Sequence, residues 1–153
     1  MEYTKNALSE KPLYPNEYEI ASNSYLMAIV AVVAGLPLPI INIIASAIFY
    51  LGNLKSSYFI RWHCIQALLA QILLIPFNSL AWAWTLLVIL DKKEPTLLFA
   101  FYLFGTLLLN ILEFAAILST AAKIRNYKNV RWPVIAAISD MLCSPKNKNQ
   151  YHI

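Results

Sequence analysis

The residues of this chain able to do chemistry are few, and nearly all of them fall inside apolar segments. His63, Gln66, Gln71 and Asn78 share one such segment, and Thr106, Asn110 and Glu113 share the next. Glu113 is the one acid deep in an apolar run, and a carboxyl placed there suits a proton site, a cation site or a docking charge. An acid without a matching intramembrane base makes a poor relay, so a hydrogen-bonded carboxyl that locks two helices together is the stronger reading. His63 beside Cys64 raises the question of a nucleophile and its base. Sequence neighbours on a helix face different directions, which disfavours an intramembrane hydrolase. The expectation for His63 is an imidazole at the membrane interface, touching headgroups or backbone.

Other chemistries lack their residues. Cys64 and Cys143 stand alone, with no CxxC and no histidine pair, so neither a disulfide framework nor a zinc site is expected and both read as small packing residues. Three glycines leave little to build a phosphate cradle from, and HExxH and GxSxG are missing. The expectation is a non-enzymatic protein with no catalytic residues, no cofactor and no metal. Its net charge of +4 comes from basic residues that flank apolar segments, a placement that fits anionic lipid headgroups and not nucleic acid.

The elements that must position these residues follow from composition. With 59% hydrophobic and 13% charged residues in 153, too little polar surface remains for a soluble globule. Three stretches, Tyr25 to Leu51, Cys64 to Leu90 and Thr96 to Ala122, each reach the roughly 20 helical residues that a hydrocarbon core about 30 Å thick demands. The expected fold is an all-α membrane protein, a small bundle in one membrane domain over 23–143. A polar cytoplasmic tail over 1–22 precedes it and a disordered tail over 144–153 follows.

The first stretch is broken by Gly35, Pro37 and Pro39. It either spans once with a kink or returns as a re-entrant hairpin. Return leaves only Lys92 and Lys93 outside, the stronger positive-inside asymmetry. Pro76 predicts a kink in the second stretch, and the short turn Asp91 to Pro95 makes the second and third an antiparallel hairpin. Beyond Ala122, Pro133 opens a run in which Val134, Ile135, Ile138, Met141 and Leu142 recur at helical spacing. Eleven residues, 133–143, cannot span, so an amphipathic helix along the cytoplasmic interface is expected.

His63, Gln66, Gln71 and Asn78 fall on one small, polar side of the second helix, while Thr106, Asn110 and Glu113 form a narrow seam on the third. Such faces pack on each other away from lipid. In an antiparallel hairpin Gln71 and Glu113 reach similar depth, which predicts a hydrogen bond between them, with Asn42 as a candidate third member. Arg61 points away from His63 toward phosphate, and Lys123, Arg125, Lys128 and Arg131 suit anionic headgroups.

FIRWHCIQALLAQ, Phe59 to Gln71, resembles the signature of the chloroplast inner-envelope translocon channel family and its bacterial relatives, small multi-helix membrane proteins classed largely as a domain of unknown function. LPLPIINIIASAIFYL and AAKIRNYKNVRWPVIAAI are similar to that family's first segment and closing motif. The resemblance implies a helical bundle with both termini on the cytoplasmic or stromal side and, for the chloroplast members, a part in a preprotein-conducting complex.

The expected function is that of a multi-pass protein of the plasma (inner) membrane, its C-terminus cytoplasmic, serving as a subunit or adaptor of a larger membrane complex. Its expected partners are membrane lipids and a membrane protein or further copies of itself, with no nucleic acid. The alternative is a component of a pathway for a polypeptide, an ion or a small solute, lined by His63, Gln66, Gln71, Asn110 and Glu113.

Overall fold

The computed structural model describes residues 13–30, 39–90 and 94–143. Among them the chain is all helical: α1 Pro15–Met27, α2 Pro39–Gly52, α3 Tyr58–Leu90, α4 Leu97–Arg125 and α5 Pro133–Leu142. Gly35 and Pro37, two of the three breakers in the first apolar stretch, and the tail expected to be disordered lie outside the described residues. Pro39 opens α2.

α3 and α4 are long and apolar enough to cross a bilayer, and only 11% of the most apolar window of each is buried. A core helix of a soluble protein would be mostly buried. These two instead turn Leu73, Leu80, Leu86, Leu87, Phe101, Phe104, Leu107 and Leu112 outward, the face that acyl chains cover. The protein is therefore a helical-bundle membrane protein. Pro76 lies inside α3, which runs unbroken through it.

α1 starts inside the stretch expected to be a polar tail. Pro15 sits at its first position, and the Tyr14 N–H donates to the Glu17 carboxylate at 2.8 Å. Its inner face is small and partly polar, with Ala21, Ser22, Ser24, Tyr25 and Ala28 all buried. Small residues let it approach α4 closely enough for the Ser22 hydroxyl to donate to the Ala121 carbonyl at 3.0 Å. Ile29, Ala67, Ile117 and Ile124 complete the core around it.

α1 and α2 run in opposite directions along the bundle. Glu19 on α1 pairs with Arg125, the last residue of α4, at 3.7 Å, and Ser22 meets Ala121 one turn deeper. α1 thus descends from the end of the bundle where α4 finishes. α2 ends at Gly52, a few residues before α3 begins at that same end. Both arms open on one end, and each is too short to cross: α1 is about 20 Å long and α2 about 21 Å. α2 buries Asn42 and Ser46 and turns Ile40, Ile44, Ile48 and Leu51 outward.

α5 packs on the opening turns of α3, with Ala136 and Cys143 against Trp62 and Ile65. Its exposed side is the apolar one: Val134, Ile138, Met141 and Leu142 face out, while Ala136 and Ser139 face in.

Candidate functional site

The polar residues assemble into two clusters, one at the basic end of the bundle and one along the α3–α4 seam. The first is built on Gln66, which is fully buried on α3. Its Nε2 donates to the Tyr25 hydroxyl at 2.7 Å and to the Val130 carbonyl at 3.2 Å, and its Oε1 accepts the Trp132 N–H at 3.2 Å. A backbone carbonyl only accepts and a backbone N–H only donates, so these partners fix which end of the amide is which.

The orientation propagates. Tyr25 accepts from Gln66, so its own proton goes to His63 Nδ1, 3.0 Å away. His63 then carries its proton on Nε2. That atom is buried and makes no hydrogen bond of ordinary geometry, and the Asn129 side chain is a polar neighbour of the ring. His63 is wholly enclosed and touches no headgroup, because α1 covers it and the rings of Phe59 and Trp62 stand edge-on beside it. The imidazole is structural, as expected, but it is buried and held by the Tyr25 side chain in place of headgroups or backbone.

The segment that reaches Gln66 is aimed by the end of α4. Tyr127 adopts φ 61°, and the Lys128 N–H donates back to the Lys123 carbonyl at 3.0 Å, a Schellman-type close that reverses the chain. The Tyr127 ring meets Tyr18 edge-on at 5.1 Å. Trp132 Nε1 then donates to Thr120 Oγ1 at 2.9 Å, pinning the segment to α4.

Along the seam, Gln71 donates to Glu113, the pair expected from their equal depth. Asn78 and Asn110 exchange two amide hydrogen bonds, at 3.2 and 2.7 Å, and Asn110 also donates to the Thr106 carbonyl at 2.7 Å. The Tyr102 hydroxyl donates to the Phe77 carbonyl at 3.1 Å. Thr106 is buried, and so is Asn42 on α2. The polar side chains of the hairpin therefore turn inward and satisfy one another.

The basic residues divide. Arg125 is engaged by Glu19, and Arg131 by Asp140, while the Arg131 guanidinium also lies 4.9 Å over the Trp62 ring. Trp62 itself is buried, its Nε1 donating to Asp140 at 2.7 Å, so it anchors α5 to the start of α3. Lys123 and Lys128 are exposed. Arg61 is half-buried with its Nε enclosed and unpaired.

Among the described residues no group of three or more histidines, cysteines or acids is placed to hold a metal, and both cysteines are free and buried. Sequence reasoning missed Tyr25 and Trp132 as members of this cluster. A signal existed, since Gln66 and Trp132 sit in two short motifs singled out separately, and the hydrogen bond between them is where those motifs meet.

Fold and site together define a small membrane protein whose polar groups hold helices to one another. A model of the magnetosome magnetite crystal formation protein family (MamF/MmsF) matches residues 21–139, well over half of the chain, and the chain belongs to that family. The match overturns the resemblance to the chloroplast translocon channel family, which rested on short, degenerate motifs of aromatic, small and basic residues. No curated protein and no solved structure matches the chain.

Proposed function

We propose that the protein is a non-enzymatic subunit of the magnetosome membrane, contributing to magnetite crystal formation as a structural or adaptor component of a larger membrane assembly. The family match over residues 21–139 carries the reading. The packing supports the structural part of it: Gln71, Asn78, Asn110 and Glu113 spend their hydrogen bonds on each other across the seam. A conducting pathway needs groups free to meet what passes.

In a magnetosome-forming cell, deletion of the chain should change the size or shape of the crystals, and a tagged copy should co-fractionate with the magnetosome membrane. Normal crystals and a tag confined to other membranes would refute the proposal. Conductance through proteoliposomes of the purified chain, abolished by Glu113→Gln, would favour a pathway instead.

A further inference from the structure

The membrane-embedded part of the molecule has unequal ends. From Ile60 to Gln71, α3 is enclosed on most sides, but beyond Gln71 only Asn78 and Ala81 are buried. α4 mirrors this, with Ile117, Thr120, Ala121 and Ile124 buried near its end and only Phe99 and Thr106 in its first half. The cause is the placement of the other helices. α1 starts and α2 ends at the basic end, and α5 packs on the first turns of α3 at that same end.

We propose that the protein is a membrane wedge, which broadens the leaflet at its basic end and so collects in bilayers that curve convexly toward that end. One leaflet accommodates α1 and α2 beside the hairpin, with α5 at its surface, while the other holds α3 and α4 alone. With helices about 10 Å across, the inserted area differs between leaflets by roughly twofold or more. α5 adds to the asymmetry because a shallow helix with an apolar outer face senses lipid packing and curvature.

Lipid is the occupant of the exposed apolar faces for two reasons. The isoleucine stripe of α2 and the Val134, Ile138, Met141 and Leu142 face of α5 are exposed like the apolar surface of the hairpin they adjoin. Around them stand Lys55, Lys123 and Lys128, exposed and without an acidic partner among the described residues, the charge that anionic headgroups complement.

The test needs only the full-length protein. Tubes are pulled from giant vesicles of phosphatidylcholine with phosphatidylglycerol, in which molecules of both orientations are present. Cys64→Ala and Cys143→Ala remove the native thiols, and a membrane-impermeant fluorescent maleimide added outside then marks one orientation at a time. With Lys128→Cys, only molecules whose basic end faces out are marked, and their density should be at least about twofold higher in narrow tubes than on the flat vesicle. With Glu94→Cys the opposite orientation is marked, and it should be depleted. Equal tube and vesicle densities for both labels, or the same sign for both, would overturn the wedge. Adding Val134→Ser, Ile138→Ser and Met141→Ser to the Lys128→Cys protein should lower the enrichment, and an unchanged enrichment would remove α5 from the proposal.

Discussion

The Tyr25 hydroxyl on α1 stands 2.7 Å from Gln66 Nε2 and 3.0 Å from His63 Nδ1, both on α3. One hydroxyl thus serves two buried partners as acceptor and donor, and it ties α1 to α3. Tyr25→Phe keeps the ring and removes both bonds, leaving a buried amide N–H and a buried imidazole nitrogen unpaired. The expected cost is about 1–3 kcal/mol, measured as a lower unfolding midpoint in detergent. An unchanged midpoint would mean that the hydroxyl does not hold the helices.

Gln66→Met conserves length and apolar volume but loses every bond to Tyr25, Val130 and Trp132. The segment after α4 should then loosen, so limited proteolysis between Asn126 and Arg131 should quicken relative to the native chain. Gln66→Glu should fail as well, since a carboxylate has no donor for the Val130 carbonyl.

Gln71 and Glu113 should be energetically coupled. A double-mutant cycle with Gln71→Ala and Glu113→Ala is expected to give about 0.5–2 kcal/mol, the span found for polar pairs between membrane helices. Additive single effects would deny the contact. A short bifunctional thiol linker should also join Gln71→Cys to Glu113→Cys in a chain lacking its native thiols.

Asn78 and Asn110 form a reciprocal pair, so each single alanine variant strands the other amide. Either should destabilise the hairpin by about 1 kcal/mol or more, and the double variant should cost less than the sum of the two. Thermal unfolding of the three variants in one detergent checks this.

Burial pushes the Cys143 thiol above its usual range, Arg61 draws it back and Asp140 raises it further. The thiolate is the reactive form, so at a fixed pH below the thiol's own the folded protein should alkylate slowly, and faster as pH rises. Arg61→Gln removes the lowering influence and should slow the reaction. Asp140→Asn should speed it, both by removing a negative charge and by releasing Trp62 and Arg131 from α5. Mass spectrometry of the Cys143 peptide over time distinguishes the two variants, and equal rates would deny the assigned neighbours.

The spans and the hairpin were legible in the sequence because uninterrupted leucine, isoleucine and phenylalanine runs have no soluble explanation. Gln71 with Glu113 was legible too, since helical rise fixes depth and polar groups avoid lipid. α1 was not. Its buried face, Ala21, Ser22, Ser24 and Tyr25, has no apolar periodicity, because the helix is held by close approach and hydrogen bonds. Glu17 and Glu19 made it look like a tail. The inward placement of His63 was equally hidden, for it depends on Tyr25 and Trp132 arriving from distant parts of the chain. The family resemblance misled for a related reason: short clusters of aromatic, small and basic residues recur wherever helices meet a headgroup layer.

The left-handed turn at Tyr127 reaches further than its size suggests. Because it folds the chain after α4 back onto Gln66, the last helix is moored at both ends, by Trp132 to α4 and by Asp140 to Trp62. A disturbance felt by α5 therefore has a direct route to the adjoining ends of α3 and α4, as a lever has to its fulcrum.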